Sequence, residues 1–226
     1  MIPKIATVIP AAGVGKRMQA DRPKQYLELA GATVLEQTVR RLQQVPELRQ
    51  FYIAVSTDDP YYPGLTSLQQ PGLTRVDGGA ERANSVLNAL VQIDAAQYPW
   101  VLVHDAARPV VRVTDVQLLI ARCLSENAGG ILATPVRDTM KRGGTLVEQT
   151  VERAGLWHAY TPQLFPTALL RGALQSALAA GAAVTDEASA MEWAGQPVLL
   201  IPGHADNIKI TQAEDLALAR FYLEQH

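Results

Sequence analysis

Short apolar runs alternate along the chain with segments whose apolar residues recur at helical spacing. Runs at residues 5–10, 51–56, 100–104, 130–135 and 197–202 are too short for ordinary helices, and most lack strict polar–apolar alternation. That pattern predicts strands covered on both faces. Between the runs lie helix signals. Thr33-Val34-Leu35-Glu36 carries the capping-box spacing and predicts a helix reaching to about Gln44, and Thr114 to Gln117 and Thr211 to Glu214 repeat it. From Arg82 onward, Ala83, Val86, Leu87, Leu90 and Val91 mark one face of a further helix. Strands alternating with helices predict an α/β fold, a mostly parallel sheet flanked by helices.

One segment departs from this rhythm. From about residue 136 to 157 the chain is polar and β-tolerant around Gly143-Gly144, a hairpin signal. An isolated hairpin with so few large apolar residues does not stand alone in water and needs something to lie on. With no linker, repeat or low-complexity tract, the chain reads as one domain over residues 1–226 with a projecting β-hairpin arm at about 136–157. The apolar stretch at residues 5–13 follows Lys4 as a short leader would, but Pro10 interrupts it and Lys16 and Arg17 follow at once. It reads as a buried first strand of a cytoplasmic protein.

Composition narrows the function classes. Of the 226 residues, 48 % are apolar and 19 % charged, ordinary for a globular domain. The 20 basic residues are balanced by 22 acidic ones, which argues against duplex nucleic acid held by bulk positive charge. A small anionic substrate needs only a few local cations. Here 15 of the 20 basic residues are Arg, the side chain with a fixed donor fork for phosphate. A single Cys excludes an intramolecular disulfide and any multi-Cys metal centre, and no stretch approaches the length needed to span a bilayer. Cys123 shares a helical stripe with Val116, Leu119, Ile120 and Leu124 and reads as core. The four His residues show no metal-ligand spacing: His158 reads as packing beside Trp157, and His104 as a residue that orients its neighbour.

The candidate chemistry begins directly after the first strand, in Pro10-Ala-Ala-Gly-Val-Gly-Lys-Arg-Met18. Small residues there let backbone N–H groups approach a polyphosphate. The loop is not a Walker A motif, since Arg17 stands where Ser or Thr would follow the Lys. It is not the dinucleotide fingerprint either, because Met18 takes the place of the third Gly. Gly13 and Gly15 alone would suit any tight turn. Lys16, Arg17 and Lys24 close by favour anion binding. Asp105 follows the apolar run 100–104, at the carboxyl end of a strand, where open α/β sheets place their ligands. A carboxylate among phosphates predicts a cation between them, so Mg²⁺ or another divalent ion is expected, with Asp206 a second candidate ligand.

These residues fall in a longer pattern. Residues 10–18, Pro23-Lys24-Gln25-Tyr26, Asp77-Gly-Gly-Ala-Glu-Arg-Ala-Asn-Ser85 and Val103-His-Asp-Ala-Ala-Arg-Pro109 resemble the signature blocks of the 2-C-methyl-D-erythritol 4-phosphate cytidylyltransferase family. The likeness continues through Pro135-Val-Arg-Asp-Thr-Met-Lys-Arg142, Gly155-Leu-Trp-His-Ala-Tyr-Thr-Pro-Gln163, Thr185-Asp-Glu-Ala-Ser-Ala190 and Ala205-Asp-Asn-Ile-Lys-Ile-Thr211, in family order over nearly the whole chain. The chain stops near His226, so the additional cyclase domain of bifunctional relatives is not expected.

The resemblance implies a Rossmann-like nucleotidyltransferase fold and a homodimer with exchanged arms. It implies transfer of the cytidylyl group of CTP to 2-C-methyl-D-erythritol 4-phosphate, with release of pyrophosphate, in non-mevalonate isoprenoid biosynthesis. By the same resemblance Arg17 and Lys24 stabilise charge at the α-phosphate, while Lys209 and Arg153 hold the sugar phosphate, Arg153 reaching from the arm into a partner's site. CTP is expected on Pro10, Ala11, Ala12, Gly13, Gly15, Lys16, Gly79, Ala80 and Ser85. The sugar phosphate is expected on Asp105, Arg108, Thr139 and Thr185. At position 80 the family usually carries Asp, so cytosine is expected to be read here through backbone groups of the Gly78-Gly79 turn.

Two other readings stand beside this one. Ribitol-5-phosphate cytidylyltransferases share the Pro-Lys-Gln and His-Asp-Ala-x-Arg-Pro blocks, though they tend to open the loop Leu-Ala-Gly-Gly where this chain has Pro-Ala-Ala-Gly. A nucleotide-binding regulator without turnover would tolerate loss of cations, yet Arg17, Lys24, Arg153 and Lys209 are all present.

Overall fold

The structure, a computed structural model, describes residues 3–13 and 21–225. Along the chain run β1 (Ile5–Pro10), β2 (Glu28–Leu29), β3 (Ala32–Thr33), α1 (Val34–Gln43), β4 (Leu48–Val55), β5 (Leu73–Asp77), α2 (Arg82–Gln92), β6 (Trp100–Val103) and α3 (Val113–Glu126). There follow β7 (Gly129–Pro135), β8 (Met140–Gly143), β9 (Val147–Val151), β10 (Trp157–Pro166), α4 (Thr167–Ala179), α5 (Glu187–Trp193), β11 (Val198–Pro202) and α6 (Ala213–Gln225).

Local chemistry sets most of these boundaries. At α1 the Thr33 hydroxyl accepts from the Glu36 N–H, and the Glu36 carboxylate accepts from the Thr33 N–H, the reciprocal box its sequence predicts. In α2, Ala83, Val86 and Leu90 are buried as their spacing predicts. Val91, one residue and about 100° further round the helix, is instead 58 % exposed. The other two boxes are displaced. α3 starts at Val113 with Arg112 at its N-cap, so Thr114 lies within the helix rather than capping it, and the Asp115 carboxylate is engaged by the His204 N–H and ring. At α6 the Thr211 N–H and hydroxyl both donate to Asp215 rather than to Glu214.

Seven strands form one sheet in the order β11-β7-β10-β6-β1-β4-β5. β1 pairs in parallel with β4 and β6, β4 with β5, and β11 with β7. β10 runs antiparallel to both of its neighbours, β6 and β7. The five apolar runs are thus all strands of this sheet. β5 and β10 are additional, and neither has a clear strand signal: Leu-Thr-Arg-Val-Asp is short and half polar, and Pro162 and Pro166 interrupt β10. One face of the sheet packs Ile5, Ile9 and Ile53 against Leu35 and Leu42 of α1 and Val116, Leu119 and Cys123 of α3. The other packs Ala6, Val8 and Val101 against Val86 and Leu90 of α2 and Leu170 and Leu174 of α4. Cys123 is fully buried, and burial pushes its thiol up to about 12. Among the described residues no helix is long and apolar enough to cross a membrane.

β8 and β9 form a separate two-stranded hairpin, paired Met140↔Val151 through Gly143↔Val147. Most of its residues are exposed, and at its tip Leu146 is 81 % and Val147 65 % exposed. The projecting arm read from the sequence is therefore a hairpin that packs little of itself.

The closest fit in the core is between β7 and β10. A Cβ on Gly129 would lie 2.0 Å from Phe165 Cδ1, a fully buried ring on the neighbouring strand. Gly129→Ala should cost about 1–3 kcal/mol, the usual range for overpacking a core. Urea unfolding of the purified protein checks this, and an unchanged midpoint would contradict it.

Candidate active site

The carboxyl ends of β1, β5 and β6 open on one edge of the sheet, at the point where the chain passes from one side of β1 to the other. Open α/β sheets bind ligands at such a switch point. A cleft of about 550 Å³ lies there, lined by residues including Pro10, Ala11, Ala12, Gly13, Lys24, Gly79, Ala80, Ser85 and Lys209. Of these nine described residues, all assigned to CTP or catalysis by the sequence reading, seven are backbone or small-side-chain positions and two are cationic. Gly15, Lys16 and Arg17 lie outside the described residues.

The loop leaving β1 is held from three directions. The Ala11 N–H donates to the Ala54 carbonyl at 2.7 Å, and the Ser56 hydroxyl donates to the Ala12 carbonyl at 3.1 Å. From below, the buried Gln25 amide donates to the carbonyls of Ala11 and Gly13 at 2.7 and 3.0 Å. Opposite, Gly78 and Gly79 allow a close approach that no side chain permits. A Cβ on Gly78 would lie 2.4 Å from Ala12 Cβ, and one on Gly79 2.3 Å from Asn84 Cβ. The Ser85 hydroxyl accepts from the Gly79 N–H and donates to the Glu81 carbonyl, so it shapes this turn from beneath. Ala80 is exposed on the cleft wall and presents no side-chain donor or acceptor.

The cations that the sequence reading assigns to catalysis or substrate binding and that lie within the described residues near the clefts converge through the chain's own carbonyls and one carboxylate. Lys24 Nζ donates to the Ile210 carbonyl at 2.9 Å, joining the Pro-Lys-Gln segment to the loop that carries Lys209. Lys209 Nζ lies 2.9 Å from Asp105 Oδ2. Arg82 Nε donates to Asp105 Oδ1 at 2.9 Å, and Arg108 Nε lies 3.5 Å from Oδ2. Burial alone would raise the Asp105 pKa, but Arg82, Lys209 and Arg108 outweigh it and hold the carboxyl well below the usual carboxylate range. The Asp105 N–H donates to the Thr161 hydroxyl at 3.0 Å. His104, fully buried, has its Nε2 3.0 Å from the Arg108 carbonyl and closes the turn. Burial lowers its pKa to about 4, so the ring is neutral and Nε2 carries the donated proton. His104 thus braces both Asp105 and Arg108.

A second, smaller cleft of about 220 Å³ opens on the far side of Asp105, lined by Arg82, Asp105, Arg108, Tyr160, Thr185 and Lys209 among others. Arg108 crosses the Tyr160 ring 5.1 Å from its centroid and donates to the Asn207 carbonyl at 2.6 Å. Asn207 in turn donates to the Thr161 carbonyl at 2.8 Å. Asp105, Arg108 and Thr185 therefore meet, as the sequence reading groups them. Thr139 and Arg153 are exposed on and beside the arm and line neither cleft of this chain, and the Arg153 guanidinium donates to the Arg137 carbonyl. His158 is exposed and also lines neither.

The two aspartates expected to hold a divalent ion are differently placed. Asp105 has both oxygens on cationic side chains, and Asp206 pairs with Arg112 and lines neither cleft. Among the described residues no three His, Cys, Asp or Glu side chains are grouped to hold a metal. These side chains form no all-protein cage, and an ion held here would need substrate phosphates to complete its shell, with Asp105 the carboxylate that lines both clefts. Arg82 and Glu187, by contrast, are site residues to which the sequence reading assigned no role. Arg82 lies in the Asp77–Ser85 block and Glu187 in the Thr185–Ala190 block, so their presence was visible and their pairing was not.

Comparison with known proteins agrees with this geometry. A family profile for 2-C-methyl-D-erythritol 4-phosphate cytidylyltransferase matches residues 5–225. The enzyme of that name from Vibrio vulnificus is 55 % identical over 225 residues, covering 98 % of this chain and 95 % of its own. A crystal structure of a 4-diphosphocytidyl-2C-methyl-D-erythritol synthase superposes with a TM-score of 0.85 at 36 % identity, covering 99 % of both chains. The Francisella tularensis cytidylyltransferase structure gives 0.82 at 35 %, covering 97 % of this chain and 99 % of its own. Likeness of this extent, in sequence and in fold, places the chain in the 2-C-methyl-D-erythritol 4-phosphate cytidylyltransferase family of nucleotidyltransferases.

Proposed function

We propose that this chain transfers the cytidylyl group of CTP to 2-C-methyl-D-erythritol 4-phosphate, giving 4-diphosphocytidyl-2-C-methyl-D-erythritol and pyrophosphate, a step of isoprenoid biosynthesis. The observation that carries this reading is the pair of clefts joined at Asp105. One is lined by loop backbone suited to a nucleoside triphosphate, the other by cations suited to a phosphorylated polyol, and Lys209 stands at their junction.

The chemistry asks little of a nucleophile. An oxygen of the sugar phosphate is already anionic and attacks the α-phosphorus in line. The bond from that phosphorus to the β-bridging oxygen breaks, and pyrophosphate leaves with the electron pair. No side chain need remove a proton. The barrier is the approach of two anions, so the protein acts by positioning and by charge neutralisation. Lys24 faces the nucleotide cleft and meets charge gathering on the α-phosphate and the leaving group, a role assigned also to Arg17. Lys209 draws the sugar phosphate to the junction. Asp105 holds Lys209 and Arg108 in place and accepts from substrate hydroxyls. The backbone of Gly78, Gly79 and Ala80 reads the base.

The same proposal makes the enzyme a homodimer with exchanged arms. What supports it is an arm that packs little of its own surface and carries Thr139 and Arg153 away from the clefts of its own chain. A cytoplasmic location belongs to it too, supported by the use of the apolar 5–10 run as a central strand rather than a leader.

Purified protein should release pyrophosphate from CTP with 2-C-methyl-D-erythritol 4-phosphate, faster than with ribitol 5-phosphate, and faster with CTP than with UTP. Equal turnover with UTP would show that a backbone reading of the base is insufficient without a carboxylate at position 80. Lys24→Ala should lower kcat by about tenfold or more with a smaller change in CTP affinity, as expected for a donor acting in the transition state. Collapse of affinity with kcat intact would make Lys24 a binding residue.

Subunit mixing checks the shared site. An Arg153→Ala chain mixed with a Lys209→Ala chain, each with only trace activity alone, should regain activity once subunits exchange. One site of each heterodimer then carries both defects and the other carries neither. Continued inactivity after verified exchange would return Arg153 to its own subunit.

A further inference from the structure

The wall shared by the two clefts is made of Arg82, Asp105 and Lys209. Behind it stands Glu187, whose side chain is 1 % exposed and lines neither cleft. Its two oxygens accept from Arg82, Oε1 from Nη1 at 2.6 Å and Oε2 from Nη2 at 3.1 Å. In that orientation the Arg82 bond to Asp105 runs from Nε–H to Oδ1. A guanidinium beside a carboxylate ordinarily closes on both oxygens with two parallel N–H bonds. In this site that fork is turned onto Glu187, and Asp105 Oδ2 is left to Lys209 and Arg108.

We propose that Glu187 is a positioning residue for the transfer reaction: by holding both terminal nitrogens of Arg82 it fixes that guanidinium in an orientation that places Nε–H alone on Asp105, and so keeps Lys209 at the junction of the clefts. The proposal rests on the cytidylyltransferase reading. Arg82 stays charged in this setting, since the attraction of Glu187 and Asp105 outweighs the burial that works against its charge.

Two features separate this role from simple support of the fold. The start of α5 is held without the Glu187 side chain: the Asp186 carboxylate accepts from the Ser189 N–H and from the Gln163 amide, and the Ala188 N–H donates to Gln163 Oε1. Loss of the Glu187 charge alone therefore leaves the helix anchored. Charge counting and positioning also predict opposite signs. Arg82, Arg108 and Lys209 face Asp105 and Glu187, so removing one negative charge would strengthen attraction for a phosphate if field strength alone mattered. If Glu187 acts by restraint, its removal lets Arg82 close on both Asp105 oxygens and compete with Lys209 for Oδ2.

The test is Glu187→Gln, which keeps the shape, loses the charge and turns one acceptor into a donor facing Arg82. Pyrophosphate release is measured at saturating CTP with varied 2-C-methyl-D-erythritol 4-phosphate. The expected result is a fall in kcat/KM for the sugar phosphate of about tenfold or more, with KM for CTP changed by less than about threefold and a single cooperative unfolding transition retained above the assay temperature. In a Lys209→Ala background, where residual turnover is followed over long incubations, Glu187→Gln should have almost no further effect, because the two act through one carboxylate. Unchanged or improved kcat/KM would overturn the proposal, and so would an equal loss in both backgrounds. Should Glu187→Gln be insoluble, Glu187→Asp is read in the same cycle, since the loss of one methylene draws its carboxylate back from both terminal nitrogens of Arg82. A parent chain that releases no pyrophosphate from the two substrates contradicts the cytidylyltransferase reading itself. An active parent with an unaffected variant overturns the Glu187 role alone.

Discussion

Three cationic side chains share one carboxylate, and the site is arranged around that fact. Arg82, Arg108 and Lys209 come from the start of α2, the turn after β6 and the loop before α6, and each would repel the others without Asp105 between them. A buried ion pair is often a doubtful source of stability, because desolvation offsets much of the attraction. Here the arrangement has another use. It stores positive charge, already oriented, at a place where two phosphorylated molecules must be brought together. The cost of collecting that charge is met at folding, through Asp105, Glu187 and the carbonyls of Asn207 and Ile210.

Asp105 is held in turn by an exception in the sheet. β10 is antiparallel between two strands of the otherwise parallel set, and its pairing with β7 breaks between Ala159 and Gln163. In that gap Thr161 accepts from the Asp105 N–H, Tyr160 lies under Arg108, and the Thr161 carbonyl takes up Asn207. Regular pairing across these residues would turn their polar groups onto neighbouring strands. The irregularity frees them to build the floor of the second cleft, so the inserted strand does for that cleft what the carboxyl edge of β1, β5 and β6 does for the first.

The arm raises a different physical question. It crosses from β7 to β10 with its polar strands in solvent and with Leu146 and Val147 at the tip. A two-stranded hairpin with so little apolar contact gains little by folding onto itself. A partner chain that covers the tip and receives Arg153 is the arrangement proposed above, and in it the arm would gain both the apolar contact it lacks and a site to serve.

Much of this architecture was legible in the chain as written. Five short apolar runs became five strands, the Thr33–Glu36 box opened α1 as its spacing required, and the small residues after β1 together with Lys24, Gly79 and Lys209 came to one cleft. These features are local, or depend on burial patterns that one stretch of residues carries by itself. β10 was not legible, because Pro162 and Pro166 interrupt its pattern and Tyr160, Thr161 and Gln163 line the second cleft. Nor was the engagement of Asp206 by Arg112, or of Arg82 by Glu187 across 105 positions of sequence. Which cation meets which carboxylate depends on where separate elements end in space, and side-chain type and spacing do not contain that information. The sequence determined the nucleotidyltransferase framework and most of the residues at its edge; only the tertiary structure decided how their charges are shared, because the sheet order brings distant carboxylates and guanidinium groups within hydrogen-bonding distance.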